Sequence, residues 1–355
     1  MKFAIEKPAL ENLLAAIQPF LEKKDNTLIT THALFEAKDG VLSIRATDNE
    51  IGLIVKTTEF DLQSEGEFTA NGKKILDVIR ALNDDQISLE GDGESLQIKQ
   101  HRSKYKLPSF DPSLFPTFNE AENNGEITVD GQKLIQALRK ISPSIANGNP
   151  KFELNGALID VRAGQINVVS TDTKRLAIYK IEQNSDKNYP IIIPKKAIAE
   201  MTKIFTSDLK LYYDETNLTI KSEDYFFYSR VINGKFPDYE RIVPKELKQS
   251  LLLNVNKFID AIRQVSTLST EIKITFESGL IAFETLNESV EEAKTAIEAD
   301  IAIDAPITIA VNSKFILDFL THAQSEQFAI GINEPTTPFI LRSESFSTIV
   351  MPIIL

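Results

Sequence analysis

The chain repeats itself, and the period decides what it can fold into. Lys2–Ile17 (KFAIEKPALENLLAAI), Glu126–Ile141 (EITVDGQKLIQALRKI) and Ser250–Val265 (SLLLNVNKFIDAIRQV) align without gaps, each 124 residues after the one before. Each reads as a strand, a short turn and a helix. A second helical pattern follows once per repeat, at Ala70–Leu82, Ile193–Ile204 and Val311–Ala323. So long a period is a whole domain, not the unit of a solenoid. Between the helices run alternating segments such as Val41–Ala46 and Gln165–Ser170, which lead into Thr47-Asp48 and Thr171-Asp172. Because these Thr-Asp pairs recur at the repeat spacing, they read as a shared turn instead of catalytic acids. The expected domains are 1–122, 126–245 and 249–355, with joints at Asn119–Gly125 and Pro244–Gln249. Amphipathic helices carried by many strands predict an α+β fold with helices covering one face of antiparallel sheets.

The helices share a charge bias. In Gly131–Ile141, Leu134, Ile135, Leu138 and Ile141 fall on one face at helical spacing. Lys133, Gln136 and Lys140 fall on the opposite face, with Arg139 at its flank. In the second helix Lys73 and Arg80 lie seven residues apart, near Lys74, with Ile75, Val78, Ile79 and Leu82 behind them. Lys196 and Lys203 repeat that spacing beside Lys195, while Lys257 and Arg263 mark the fifth helix and Lys314 the sixth. The whole chain has 39 Lys and Arg against 51 Asp and Glu, a net charge of −12. The second to sixth helices nevertheless hold twelve basic and five acidic residues, which leaves 27 basic against 46 acidic elsewhere. A charged outer face is ordinarily just a solvated one. Five cationic faces in an acidic protein suggest a polyanion, which net charge alone would argue against.

Chemistry is harder to find. The absence of cysteine excludes disulfides, thiolate metal sites and thiol nucleophiles. His32, His101 and His322 are isolated and lack the spacing of a metal site. Gly66–Lys74 resembles a phosphate loop but has five residues between its glycines, and Lys74 stands where a Ser or Thr is required. Glu288, Glu291 and Glu292 lack the ligand spacing of a calcium loop. No catalytic group, metal or cofactor is expected. The alternating Met1–Glu6 lacks a signal peptide's apolar core, and no apolar run is long enough to span a bilayer, so the expectation is a cytoplasmic protein without a membrane partner.

The MKF start, Leu154-Asn155-Gly156, Thr171–Ala177 (TDTKRLA), Ile193–Lys196 (IPKK), Gly234–Arg241 (GKFPDYER) and Val350–Leu355 (VMPIIL) occur in an order that resembles the bacterial DNA polymerase III sliding clamp, or beta subunit, family. The resemblance covers the whole chain. It implies three similar clamp domains per chain, helices lining a central hole, antiparallel sheets outside and a head-to-tail dimeric ring. Such a ring encircles duplex DNA without reading its sequence and tethers the polymerase III catalytic subunit, the clamp loader and repair proteins, with no catalysis of its own. DNA contacts would then come from Lys24, Lys73, Lys74, Arg80, Lys133, Arg139, Lys140, Lys195, Lys196, Lys203, Lys257, Arg263 and Lys314. Matching motifs put a partner-peptide pocket at Leu154, Thr171, Thr173, Lys174, Arg175, Leu176, Pro237, Arg241 and Ile242. Asn312, Phe315, Val350, Met351, Pro352, Ile353 and Leu355 would complete it. Apolar residues there accept the peptide's anchors while Arg175 and Arg241 orient it. The dimer interface would bring Lys73, Arg102, Lys104, Tyr105 and Leu107 of one copy to Leu268, Glu291 and Glu292 of the other. This chain departs from the family's usual Gly-His at Thr173-Lys174 and from its usual Met-Arg at Ile353-Ile354, which bears on peptide preference. The alternative from another class is an acidic α+β enzyme that binds a small anionic ligand in a basic cleft.

Overall fold

The computed structural model describes residues 1–354 apart from 24, 26, 119–124, 184–187, 206–208 and 287–291. Lys24, Leu355, Glu288, Glu291 and most of the first expected joint therefore lie outside the described residues. Among the described residues the α-helices are α1 (Lys7–Ile17), α2 (Gly72–Ala81), α3 (Gly131–Ile141), α4 (Lys195–Ile204), α5 (Val255–Ser266) and α6 (Ser313–Leu320). Local chemistry sets where they begin. Asn71, Asn254 and Asn312 cap α2, α5 and α6, each side-chain oxygen accepting from the backbone N–H of Lys74, Lys257 or Lys314. Pro8 sits in the first turn of α1, where a missing N–H leaves no partner wanting. Each helix buries an apolar stripe, such as Ile75, Leu76 and Ile79 in α2 and Phe258, Ala261, Ile262 and Val265 in α5.

The chain packs as two compact units, Met1–Gly131 with Lys203–Val231 and Gln132–Thr202 with Ile232–Leu355, which share the middle repeat between them. The first unit holds an eight-stranded sheet in the order Gly125–Val129, Leu209–Tyr213, Asn217–Lys221, Tyr225–Arg230, Ile51–Thr57, Val41–Thr47, His32–Lys38 and Gly66–Asn71. Beside it is a five-stranded sheet, Asp61–Ser64, Lys2–Glu6, Gln86–Gly91, Ser95–Gln100 and Ser103–Pro108. The second unit repeats the plan. Its eight strands run Tyr189–Pro194, Gly156–Arg162, Gln165–Thr171, Arg175–Glu182, Phe346–Val350, Phe339–Ser343, Gln327–Ile332 and Gln249–Asn254. Its smaller sheet has four, Lys294–Glu298, Leu280–Thr285, Glu271–Glu277 and Ile307–Asn312.

Every ladder is antiparallel, and the central pairing of each large sheet joins successive repeats. Phe227 faces Leu53 in the first unit and Leu176 faces Ile349 in the second. Backbone hydrogen bonds, not side chains alone, hold one repeat to the next. Aromatic clusters fill the space under the helices. Phe68 stacks on Phe35 at 4.8 Å in the first unit, and Phe258 meets Phe283 and Phe328 edge-on at 5.0 and 5.2 Å in the second. Each such ring, fully buried, contributes about 1.5–3 kcal/mol by leaving water.

Candidate functional sites at the helix faces, the chain end and the sheet edges

The cationic faces largely stand as the helical period places them. Lys73, Lys74, Arg80, Lys133, Arg139, Lys196, Lys203, Lys257, Arg263 and Lys314 are exposed. Arg80 and Arg139 carry contacts that the sequence did not suggest. Arg80 donates from Nε to Glu11 of α1 at 3.2 Å, an acid that Lys7 also approaches at 3.1 Å. Arg139 donates to the Thr202 carbonyl at 2.5 Å and so links the ends of α3 and α4. Lys140 is a correction. It is only 6% exposed, its ammonium 5.3 Å from the Tyr179 ring centre and 5.7 Å from that of Phe346. Burial holds its pKa below the usual lysine value, against an opposing pull from Glu344. The helical period is right, but strands Arg175–Glu182 and Phe346–Val350 supply rings that cover the end of this face. Lys195 is half-buried and donates to Asn147 Oδ1 at 2.7 Å and to the Ile145 carbonyl at 3.3 Å. Its pKa is lowered by burial and by the neighbouring charges of Arg175 and Lys314.

The expected peptide site centres on the turn Thr171–Arg175. Thr171 Oγ1 donates to the Arg175 carbonyl at 2.7 Å, and Asp172 Oδ1 accepts from the amides of Lys174 and Arg175, both at 3.0 Å. Thr173 takes φ of +76° to close the turn, a conformation that β-branched residues rarely adopt. The chain end lies against it, with Met351 N–H donating to the Lys174 carbonyl at 2.9 Å and Ile353 N–H to Ala310 at 2.7 Å. Met351, Ile354 and Ile242 are exposed apolar residues, while Pro237, Phe315, Pro352 and Ile353 are half-buried.

Several expected wall residues face inward instead. Leu154, Leu176 and Val350 are almost wholly buried, and Leu176 packs with Phe236, Tyr239 and Ile349. Strand pairing draws Leu176 and Val350 into the core, and Leu154 turns in from the 3-10 turn Phe152–Asn155, so they support the surface without forming it. Asn312 is occupied as the cap of α6. Arg175 is 6% exposed, and each of its three nitrogens has a protein acceptor. Nε meets Asp172 at 3.0 Å, Nη1 meets Asp318 at 2.7 Å, and Nη2 bonds the Pro143 carbonyl. These bonds use three of the five guanidinium N–H donors and set the charge against Asp172 and Asp318, which points away from its orienting a peptide directly. Arg241 is exposed and pairs with Asp238 at 2.7 Å.

Sequence reading missed what holds the segment Phe236–Ile242. The Tyr239 hydroxyl donates to Asp160 at 2.6 Å and accepts from Asn167 at 3.0 Å. Arg162 binds Asp160 at 2.8 Å and Glu240 at 2.6 Å. Burial, together with the Asp160 carboxylate, pushes the Tyr239 phenol well above its usual range. A groove of about 720 Å³ opens beside this segment, lined by Arg241–Lys248 with Asn333, Glu334, Thr337 and Pro338.

Of the expected dimer residues, Lys104, Tyr105 and Leu107 lie on an edge strand, Lys73 is on α2, Leu268 follows α5, and Arg102 and Glu292 lie just before strands Ser103–Pro108 and Lys294–Glu298. Ser103–Pro108 ends the five-stranded sheet, with Tyr105 and Leu107 on the side of buried Ile98 and Leu96 and Lys104 and Lys106 on the other side. Arg102 and Lys104 are exposed, as are Leu268 and Glu292. Lys294–Glu298 ends the four-stranded sheet.

Comparison with known proteins adds to this geometry. The family descriptions "DNA polymerase III beta subunit" for the N-terminal, central and C-terminal domains match residues 1–119, 128–238 and 240–354. A beta sliding clamp of Helicobacter pylori is 36% identical over 374 residues, covering the whole of both chains. The crystal structure of the Helicobacter pylori beta clamp bound to a DNA ligase peptide matches with a TM-score of 0.94 and 37% identity over all of both chains. The Pseudomonas aeruginosa DNA polymerase III beta subunit matches in fold over both full lengths, with a TM-score of 0.95 at 24% identity. The molecule is thus an α+β protein of the clamp fold, with three clamp domains in one chain. It belongs to the DNA polymerase III beta subunit family.

Proposed function

We propose that two copies of this chain close head to tail into a ring that encircles duplex DNA and tethers DNA polymerase III, its clamp loader and repair proteins. The observation that carries this reading is the pair of unfinished sheets. Within each packing unit, strands of two successive repeats complete an eight-stranded sheet, while the first and third repeats each keep a smaller sheet with an open edge. Pairing Ser103–Pro108 of one copy with Lys294–Glu298 of the other continues the same ladder across the dimer. Tyr105 and Leu107 then bury against Thr295 and Ile297, while Lys104 and Lys106 face Glu298, with Arg102 and Lys73 close to Glu292. Exposed charge pairs add only about 0–1 kcal/mol each. Strand pairing and apolar burial hold the ring, and charge selects the partner. The proposed domains are 1–122, 126–245 and 249–355.

The helix faces then line the hole. A sliding ring needs attraction to phosphates without base contacts. Exposed lysines and arginines on α2 to α6 supply it, and acidic surface elsewhere leaves the hole as the favoured place for DNA. Each phosphate contact adds roughly 0.9 to the slope of log affinity against log salt. Partner peptides dock on the exposed Met351, Ile354 and Ile242 and on Pro237; a Helicobacter pylori relative binds a DNA ligase peptide. The tether acts through effective concentration: a polymerase held near the primer end rebinds before it diffuses away. The work is topological and needs no catalytic group, and its place is the cytoplasm, where the DNA is.

The test is retention on DNA. Labelled protein loaded onto nicked circular plasmid by a bacterial clamp loader should stay bound through high-salt gel filtration and be released when the plasmid is linearised. Leu107→Asp with Leu268→Asp should give folded monomers that are not retained. Equal retention on linear and circular DNA would falsify the ring.

A further inference from the structure

We propose that Arg175 is a positioning residue for partner binding, a strut through which α6 and the 3-10 turn Ser142–Ser144 hold the peptide-binding chain end in place. The proposal rests on the pocket reading above and departs from it on this residue, whose charge never meets the peptide.

Each bond of the guanidinium reaches a different part of the second unit. Nε holds Asp172 in its own turn, Nη1 reaches Asp318 on α6, and Nη2 reaches Pro143, just beyond α3. Its Cζ lies over the Phe315 ring of α6, 4.6 Å from the ring centre. A planar fork that also stacks is something arginine supplies and lysine does not. Two carboxylates on one cation, in a site only 6% exposed, leave the group nothing to gain from a ligand's charge.

The backbone of the same turn carries the chain end. Arg175 pairs with Val350 across the sheet, and the Lys174 carbonyl receives the Met351 amide at 2.9 Å. Ile353 then bonds Ala310 on the strand that leads into α6. The exposed Met351 and Ile354 are thus fixed at two backbone points, one on the Arg175 turn and one on the strand before α6. Arg175 ties those two points to each other. Without it, the turn and α6 can part, and the apolar surface they present loses its shape.

Charge and position predict opposite results. The probe is a fluorescein-labelled copy of the DNA ligase peptide held by the Helicobacter pylori relative, read by fluorescence polarisation against the full-length dimer. If Arg175 positions, Arg175→Lys weakens binding about tenfold despite keeping its charge, a size usual for linked sites. Asp318→Asn, which removes the far end of the strut and leaves the turn itself intact, weakens it by a similar factor. The double variant is no worse than either single one, because both remove the same support. Hydrogen exchange of segment 350–354 speeds up at least fivefold in both variants, with or without peptide. Unchanged affinity in Arg175→Lys, or tighter binding in Asp318→Asn where a charge has been released, overturns the proposal in favour of direct contact. Failure of the wild-type protein to bind the probe removes the pocket reading, and the exchange of the chain end then still decides whether Arg175 is its strut.

Discussion

In the turn Thr47–Ile51, the Thr47 hydroxyl donates to the Ile51 carbonyl at 2.8 Å, Asp48 accepts the amides of residues 50 and 51, and Asn49 takes φ of +73°. The turn Thr171–Arg175 has the same bonds, with Thr173 at +76°. Even the next contact is shared: the Glu50 carbonyl receives Arg230 N–H at 2.8 Å, and the Lys174 carbonyl receives Met351 N–H at 2.9 Å. What differs is what covers the frame. In the first unit Phe118 lies on Gly52 and stacks with Tyr228 at 5.7 Å, so the chain seals its own turn. In the second unit the residue matching Phe118 is Tyr239, drawn down onto Asp160, and Leu176 replaces Gly52. Met351 and Ile354 stay exposed. One scaffold, repeated, closes one joint and leaves the other uncovered, where the proposed partner site lies.

Exchanging the covering residues breaks the comparison most severely. A Cβ on Gly52 comes within 2.6 Å of Phe118, so Gly52→Leu has to expel that ring. Overpacking of this kind costs about 1–3 kcal/mol, with the stacking on Tyr228 lost as well. Urea unfolding should show a loss at the upper end of that range. A variant as stable as wild type would mean that Phe118 does not seal the turn.

This contrast was only partly legible in the sequence. The Thr-Asp spacing of 124 announces the shared turn, and apolar spacing announces α1 to α6. The match of Phe115-Pro116-Thr117-Phe118 with Phe236-Pro237-Asp238-Tyr239 is present in the sequence too. What each segment covers depends on partners far along the chain, such as Asp160 for Tyr239. Lys140 shows the same limit. Helical period gives it a face, and only tertiary packing shows that Tyr179 and Phe346 occupy that face. Arg175 reads as a ligand-binding arginine until Asp318, 143 residues away, is found beside it.

The first unit also carries a buried histidine. His32 begins the strand that Gly156 begins in the second unit, and it is 5% exposed against Phe110, with its ring centre 4.4 Å away. Burial first, then the charge of Lys74, lowers its pKa to about 4. The folded state therefore prefers the neutral ring. Its contribution is complete above the ordinary value of 6.5 and is lost as pH falls from there towards 4. Relative to His32→Gln, the wild type should lose about 1–3 kcal/mol over that window. Parallel stability curves for the two proteins would remove His32 from the acid response.

The open joint can be sharpened by removing its last residues. Deleting residues 353–355 takes away exposed Ile354 and the backbone bond to Ala310, but leaves strand Phe346–Val350 intact. Peptide affinity should fall at least tenfold, about 1.4 kcal/mol. Sedimentation should still show the dimer, because the proposed interface lies on other strands. Ile354→Arg, which restores the family's usual residue, should change which peptides bind best while binding itself persists. Wild-type affinity in the truncated protein would place the partners elsewhere.

The smallest effect tests the two turns directly. Asn49 and Thr173 occupy the same left-handed position, but they do not bear it equally. Asparagine visits this region readily, whereas a β-branched side chain crowds its own backbone there. Left-handed backbone costs an ordinary residue about 1–2 kcal/mol, and glycine escapes that cost while adding freedom to the unfolded chain worth about 0.4–1 kcal/mol. Thr173→Gly should therefore stabilise the protein by up to about 1 kcal/mol. Asn49→Gly should be neutral or slightly destabilising. The hydrogen bonds of both turns come from the Thr-Asp pair and the backbone, so neither substitution removes one. If the two variants move stability equally, the strain at Thr173 is absent. If Thr173→Gly is stabilised but binds the ligase peptide less tightly, the strain serves the open joint by presenting the threonine side chain to the peptide.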